Sequence, residues 1–170
     1  MAYPPVDIVD EHDAVVGSAK LAEVWKHGYR HRIVFVVVED LKGNVLLQKR
    51  SHHMTLFPDC WDISASGHVD SGDDYIDAAQ KELAEEVGLH TVELEELAHF
   101  YGSAMYDTER IANRFMKIFR VRATDHPDVS NHYEVSEVQW FTVDEIKNLI
   151  AHHPHQVAIG LREVYDHLWK

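Results

Sequence analysis

The stretch from Gly67 to Leu89, GHVDSGDDYIDAAQKELAEEVGL, constrains this chain more than any other. Its second part reads as a helix from Asp73 to Val87, with Asp73 and Asp74 in the first turn and Gly88 closing the end. Ile76, Ala79, Leu83 and Val87 recur at the 3.6-residue period, so they are expected to form a core face. Glu82, Glu85 and Glu86 stand at i, i+3 and i+4 beside that face, on an arc of roughly 100°. Like charges so spaced destabilise a bare helix by roughly a few tenths of a kcal/mol per pair. The C-terminal end of the helix dipole also disfavours anions. One reading is a solvated acidic face. The other is a carboxylate cluster that awaits a hard divalent cation, which takes oxygen ligands and shares them with substrate phosphates.

The rest of the chain frames this helix. Val6 to Val9 and Ala14 to Val16 read as a hairpin, and Ser18 is expected to cap a short helix, Ala19 to Lys26, ended by Gly28. Arg32 to Glu39, the LKGN turn and Val45 to Lys49 read as strand, turn and returning strand. Trp61 to Ser66 reads as a strand that stops at Gly67. Leu97 to Tyr106, Arg114 to Val121 and Val138 to Phe141 are further strands, followed by helices Val143 to Ala151 and Val157 to Trp169. This mixture implies an α+β fold, an α/β/α sandwich, rather than a doubly wound parallel sheet.

Charge narrows the function. Twenty-nine acidic residues face 16 Lys and Arg, a net charge of -13, which opposes a nucleic-acid polymer as partner. No apolar run reaches the roughly 18 residues of a membrane helix. The opening MAYPPVDIVDEHD lacks the pattern of a signal peptide, and the single Cys60 forms no internal disulfide, so the expected compartment is the cytoplasm. Of the 14 histidines, the group His152, His153 and His155 is broken by Pro154 and reads as a polar loop.

The order of residues 67 to 89 closely resembles the Nudix box, G-x5-E-x7-R-E-U-x-E-E-x-G-U with U aliphatic. Gly67, Glu82, Leu83, Glu85, Glu86, Gly88 and Leu89 match, while Asp73 replaces a Glu and Lys81 an Arg. The resemblance spans roughly residues 30 to 150. It implies a Nudix-type sandwich with a mixed sheet, residues 30–170, on which residues 1–29 pack as an N-terminal hairpin and helix. It further implies hydrolysis of an organic diphosphate, nucleoside or related, with Mg²⁺ or Mn²⁺ held by Glu82 and Glu86, Glu85 close by and the Gly67 carbonyl as a further ligand. Such a cation neutralises diphosphate charge and lowers the pKa of an attacking water. Lys81, standing for the Arg that orients the carboxylates, keeps the charge but loses the bidentate fork. The box does not supply a fixed general base; Glu85, Glu134 and Glu137 are the candidates.

The flanks HRIVFVVVEDLKGNVLLQKRS and FPDCWDISASGHV are similar to the isopentenyl diphosphate isomerase branch and to hydrolases that look like it. In those isomerases a cysteine precedes the Gly-His that opens the box, whereas this chain has Ser66, with Cys60 six residues away. Their paired strand glutamates fall here on Ala112, Asn113 and Arg114, although His31 and His68 match histidines of their metal site. A hydrolase is therefore expected. The alternatives are an isopentenyl diphosphate isomerase and a non-catalytic diphosphate-binding domain. Arg50, with Lys49 beside it, is a candidate phosphate contact. Phe57, Trp61 and Tyr106 are candidates to stack on the organic moiety, and His68 to line the site. A homodimer through the hairpin or the last helix completes the expected partners.

Overall fold

The structure is a computed structural model that describes residues 4–90, 92–123, 127 and 131–170. Val6–Val9 (β1) and Val15–Ala19 (β2) pair as a small antiparallel sheet, followed by Leu21–His27 (α1). The main sheet holds Arg30–Glu39 (β3), Val45–Arg50 (β4), Trp61–Asp62 (β5), Ala65–His68 (β6), Glu95–Met105 (β7), Ile111–Arg122 (β8) and Val135–Phe141 (β9). Tyr75–Val87 (α2), Val143–His152 (α3) and Ile159–Leu168 (α4) complete the element order.

β3 is the axis of the sheet. It runs parallel to β8 from Arg30 opposite Asn113 to Glu39 opposite Arg122, and antiparallel to β6 from Ile33 opposite His68 to Val36 opposite Ala65. Its apolar run is buried on both faces. Val34, Val36 and Val38 join Ala79, Leu83 and Val87 of α2 in one core. Phe35 and Val37 join Ile146 of α3 and Leu161 and Val164 of α4 in the other. The two-residue strand period thus separates one run of valines into two cores, one under each helical layer. The expected α/β/α sandwich with a mixed sheet is the observed one.

Several local expectations differ. The helix of the box starts at Tyr75, and Asp74 is its N-cap, accepting from Ile76 N and Asp77 N; Asp73 and Asp74 therefore precede the first turn. Ile76 is exposed, because in that turn Tyr75 takes the buried place. Ser18 lies in β2, and α1 begins after Lys20 without a side-chain cap. The strand expected at Trp61 to Ser66 is two short strands, and Gly67 lies inside the second. Between them the Ser64 hydroxyl donates to Leu46 O and accepts from Val38 N, a side chain doing the work of a ladder bond. β3 and β4 pair only at Glu39 opposite Val45, next to their turn; β4 otherwise pairs with β9 and β5.

The N-terminal hairpin is tied to the sandwich by polar contacts. Asp13 accepts from Arg32 Nε at 2.7 Å and from the Tyr75 hydroxyl at 2.9 Å. Val6, Leu21 and Val24 form a third small core, and Val6 is bridged to Asp70. No helix among the described residues is long and apolar enough to cross a membrane.

Candidate active site

β6 and the last two turns of α2 form the centre of the site. Glu82 lies over the backbone of Gly67: a Cβ on that glycine would stand 1.9 Å from Glu82 Oε1. Only a residue without a side chain lets the carboxylate approach the strand this closely. One turn on, Glu86 is 4 % exposed. Its Oε2 accepts from Gln48 Nε2 at 2.8 Å and from Ser66 N at 2.9 Å. Both bonds fall on one oxygen, which leaves Oε1 for another partner.

Burial raises the proton affinity of both carboxyls. Glu86 is pushed up to about 8 by desolvation, with Asp62 adding to the rise and Ser66 N, Arg50 and Gln48 opposing it. Glu82 is driven well above the carboxylate range by burial and then by the charges of Glu86, Glu85 and Glu134. Glu134, in the turn just before β9, is raised by burial and by Glu85. Four carboxylates thus repel one another in a partly dry place, with Glu85 on its exposed side. Glu137 is exposed on β9 opposite Lys49, and it is not among the groups that shift this cluster.

The cations differ from expectation. Lys81 is exposed and bonds Asp70, so it ties α2 to the loop after Gly67, and it reaches Glu82 through its charge rather than a hydrogen bond. Arg50 supplies the positive charge that stabilises ionised Glu86 and Glu134. Its Nε donates to Leu56 O at 3.0 Å and its Nη1 to Asp62 Oδ2 at 3.3 Å, so much of the expected phosphate-binding fork is committed within the protein. Asp62 in turn accepts from Leu161 N in the first turn of α4. Trp61 packs edge-on against Phe141 at 5.0 Å and belongs to the second core rather than to the carboxylates. Phe57, at φ 52°, is turned edge-on to Tyr106 at 6.0 Å. His68 follows Gly67 and stacks on His31 at 5.3 Å.

Among the described residues, no three His, Cys, Asp or Glu side chains converge into a ready ligand sphere. The carboxylates form a neighbourhood of oxygen donors with excess negative charge. That suits Mg²⁺, which keeps several waters and takes only one or two carboxylates along with phosphate oxygens. Sequence reasoning missed Gln48, whose partner is 38 positions away. The only signal was a polar residue directly after the apolar Val45, Leu46 and Leu47 of β4, and the Lys49 and Arg50 that follow masked it.

The NUDIX domain profile matches residues 29–168. The chain belongs to the Nudix hydrolase family. It is 34% identical over 143 residues to an uncharacterized Nudix hydrolase of Nostoc sp., covering 83% of this chain and 82% of that one. It is 33% identical over 166 residues to a protein of Nocardia farcinica named isopentenyl-diphosphate Delta-isomerase, covering 95% and 93%. Among solved structures, DR0079 from Deinococcus radiodurans superposes with a TM-score of 0.80 at 25% identity, over 98% of this chain and 99% of that chain.

Proposed function

We propose that this protein is a Mg²⁺- or Mn²⁺-dependent hydrolase of a small organic diphosphate. The observation that carries the reading is the gathering of Glu82, Glu85, Glu86 and Glu134 at the Gly67 strand, with Glu86 buried and Glu82 and Glu134 half-buried against like charge. Glu82 and Glu86 would hold the cation, Glu85 would stand at its edge, and the Gly67 carbonyl is a further ligand. When bound, the cation neutralises diphosphate oxygens and acidifies a water.

The protein's own part is positioning. Gln48 and Ser66 N fix the Glu86 carboxylate, and the bare Gly67 Cα lets Glu82 approach. Glu134 is the proposed general base, with Glu85 as the second candidate, because burial and the Glu85 charge raise its proton affinity above that of a free carboxylate. Water adds to one phosphorus, the bridging P–O bond breaks, and the water's proton passes to that carboxylate. Residues 1–29 are proposed as a packed extension of the 30–170 unit, supported by the Asp13 contacts.

The similarity to isomerase-named proteins keeps a second reading in view. Against it, Ser66 stands where those isomerases have cysteine, and its backbone serves Glu86. Release of phosphate-containing products with Mg²⁺, screened over a diphosphate library that includes isopentenyl diphosphate, tests the proposal. Turnover lost in Glu86→Gln supports it. Deuterium uptake into isopentenyl diphosphate without phosphate release would replace it with the isomerase. Ligand binding with no turnover would replace it with a binding domain.

A further inference from the structure

Among the described residues, the buried side-chain polar atoms without a partner in the protein are Trp25 Nε1, His31 Nε2, His68 Nε2, Arg114 Nε and Glu163 Oε2. All five belong to one contiguous group. His31 stacks on His68 at 5.3 Å, and His68 meets Trp25 edge-on at 5.9 Å. Trp25 meets Tyr106 at 6.1 Å, and the Tyr106 hydroxyl accepts from Arg114 Nη1 at 3.1 Å. Arg114 Nη2 donates to Glu163 Oε1 at 2.6 Å. His31 and Arg114 also stand opposite each other in the β3–β8 register. Buried polar groups are rarely left unpaired, because each then forfeits its hydrogen bonds to water without replacement. Five along one chain of contacts leave hydrogen-bonding capacity that the protein itself does not use.

We infer that Trp25, His31, His68, Arg114 and Glu163 form a hydrogen-bonding subsite for a polar, planar head group carried by the diphosphate. The inference rests on the hydrolase reading for its diphosphate and on these atoms for the rest. The chemistry of the group follows from the atoms. Trp25 Nε1 and Arg114 Nε are donors only, and Glu163 Oε2 is an acceptor. His31 Nδ1 faces Tyr29 O at 3.3 Å, which puts its proton there and leaves Nε2 as an acceptor. His68 serves as either. A mixed set of this kind fits a heterocycle edge that carries N–H and carbonyl together, as uracil does. A hydrocarbon tail would leave every one of these atoms unpaired. A second phosphate offers no match for Glu163, and a metal ion is opposed by the Arg114 guanidinium. Arg114 is held by its two terminal nitrogens, so its Nε–H is presented in a fixed direction.

The test is calorimetric binding, in Mg²⁺, of two analogues whose methylene bridge resists hydrolysis: uridine methylenediphosphonate and isopentenyl methylenediphosphonate. The uridine compound is expected to bind at least about 100-fold more tightly, since a site built to hydrogen-bond rejects an analogue lacking the groups. Trp25→Phe and Glu163→Gln should each shrink that preference by about tenfold. Trp25→Phe keeps an aromatic ring in place, so the test survives if Glu163→Gln fails to fold. Equal binding of the two analogues, tighter binding of the isopentenyl one, binding of neither, or a preference unchanged in Trp25→Phe would overturn the subsite. Preferential binding of the uridine analogue with no turnover of uridine diphosphate would overturn the hydrolase reading and leave the subsite standing.

Discussion

Glu86 on α2 and His31 on β3 are both buried polar side chains, and they differ in what they lack. The Glu86 carboxylate has two hydrogen bonds and too much negative charge around it. His31 has an acceptor nitrogen with no partner in the protein, and burial lowers its pKa to about 4, so it is neutral. One region is completed by charge, the other by hydrogen bonds. β6 joins them, since Gly67 serves the first and His68 the second. A substrate with a charged end and a polar neutral end matches that division. The contrast also separates two kinds of damage, because changes at the carboxylates should alter rate and changes at the neutral group should alter selectivity.

The largest expected effect is on turnover. Glu82→Gln and Glu86→Gln should each lower kcat by about 100-fold or more, the scale of removing a charge-stabilising group, while circular dichroism shows the fold kept. Gly67→Ala comes next. Its Cβ would overlap Glu82 Oε1, so the carboxylate or the strand must shift. The clash is with the end of a flexible side chain, so thermal unfolding should change little while kcat falls as Glu82 is displaced. Gln48→Leu removes a support rather than a ligand, and metal affinity measured by calorimetry should fall by about 10- to 100-fold. Lys81→Ala should be the mildest, since its partner is Asp70 on the loop. A change in kcat under about threefold is expected, on the scale of an exposed ion pair worth about 0.2–1 kcal/mol. A loss at Lys81 as large as at Glu86 would show that the lysine orients the carboxylates after all.

A pH titration sharpens the same comparison. The folded protein holds the Glu86 proton to about 8, while the unfolded chain releases it near 4.5. The unfolded state therefore binds fewer protons across that window, and stability falls as pH rises through it. His31 works the other way. Its folded pKa of about 4 against 6.5 means stability gained as pH rises from 4 to 6.5. Above 6.5 the carboxylate effect stands alone. Between pH 6.5 and 8 the metal-free melting temperature should fall. Glu86→Gln should flatten that slope, and so should Mg²⁺, because a bound cation stabilises the ionised pair.

Much of the carboxylate region was legible in the sequence, because its information is local. Glu82, Glu85, Glu86 and Gly88 lie within two turns, and helical periodicity converts their spacing into geometry. The neutral region was legible only in part. Trp25, Arg114 and Glu163 come from α1, β8 and α4, and Arg114 meets Glu163 across 49 positions. No local pattern marks a pairing of that kind, and His31 and His68 stood out only through a family likeness. Lys81 shows the limit of local spacing: its neighbours in sequence are the glutamates, whereas its hydrogen bond turns back to Asp70. Trp61 was a stacking candidate although an aromatic at a strand start is more often core, and its side chain packs against Phe141.

The central claim is that half-buried Glu82 and buried Glu86 await a divalent cation. Mn²⁺ binding to the wild type and to Glu86→Gln, followed at pH 7.5 by electron paramagnetic resonance, tests it most directly. The account expects saturable binding in the wild type that weakens by about tenfold or more in the variant. Equal binding by both proteins, or no binding by the wild type with or without a diphosphate, would contradict it.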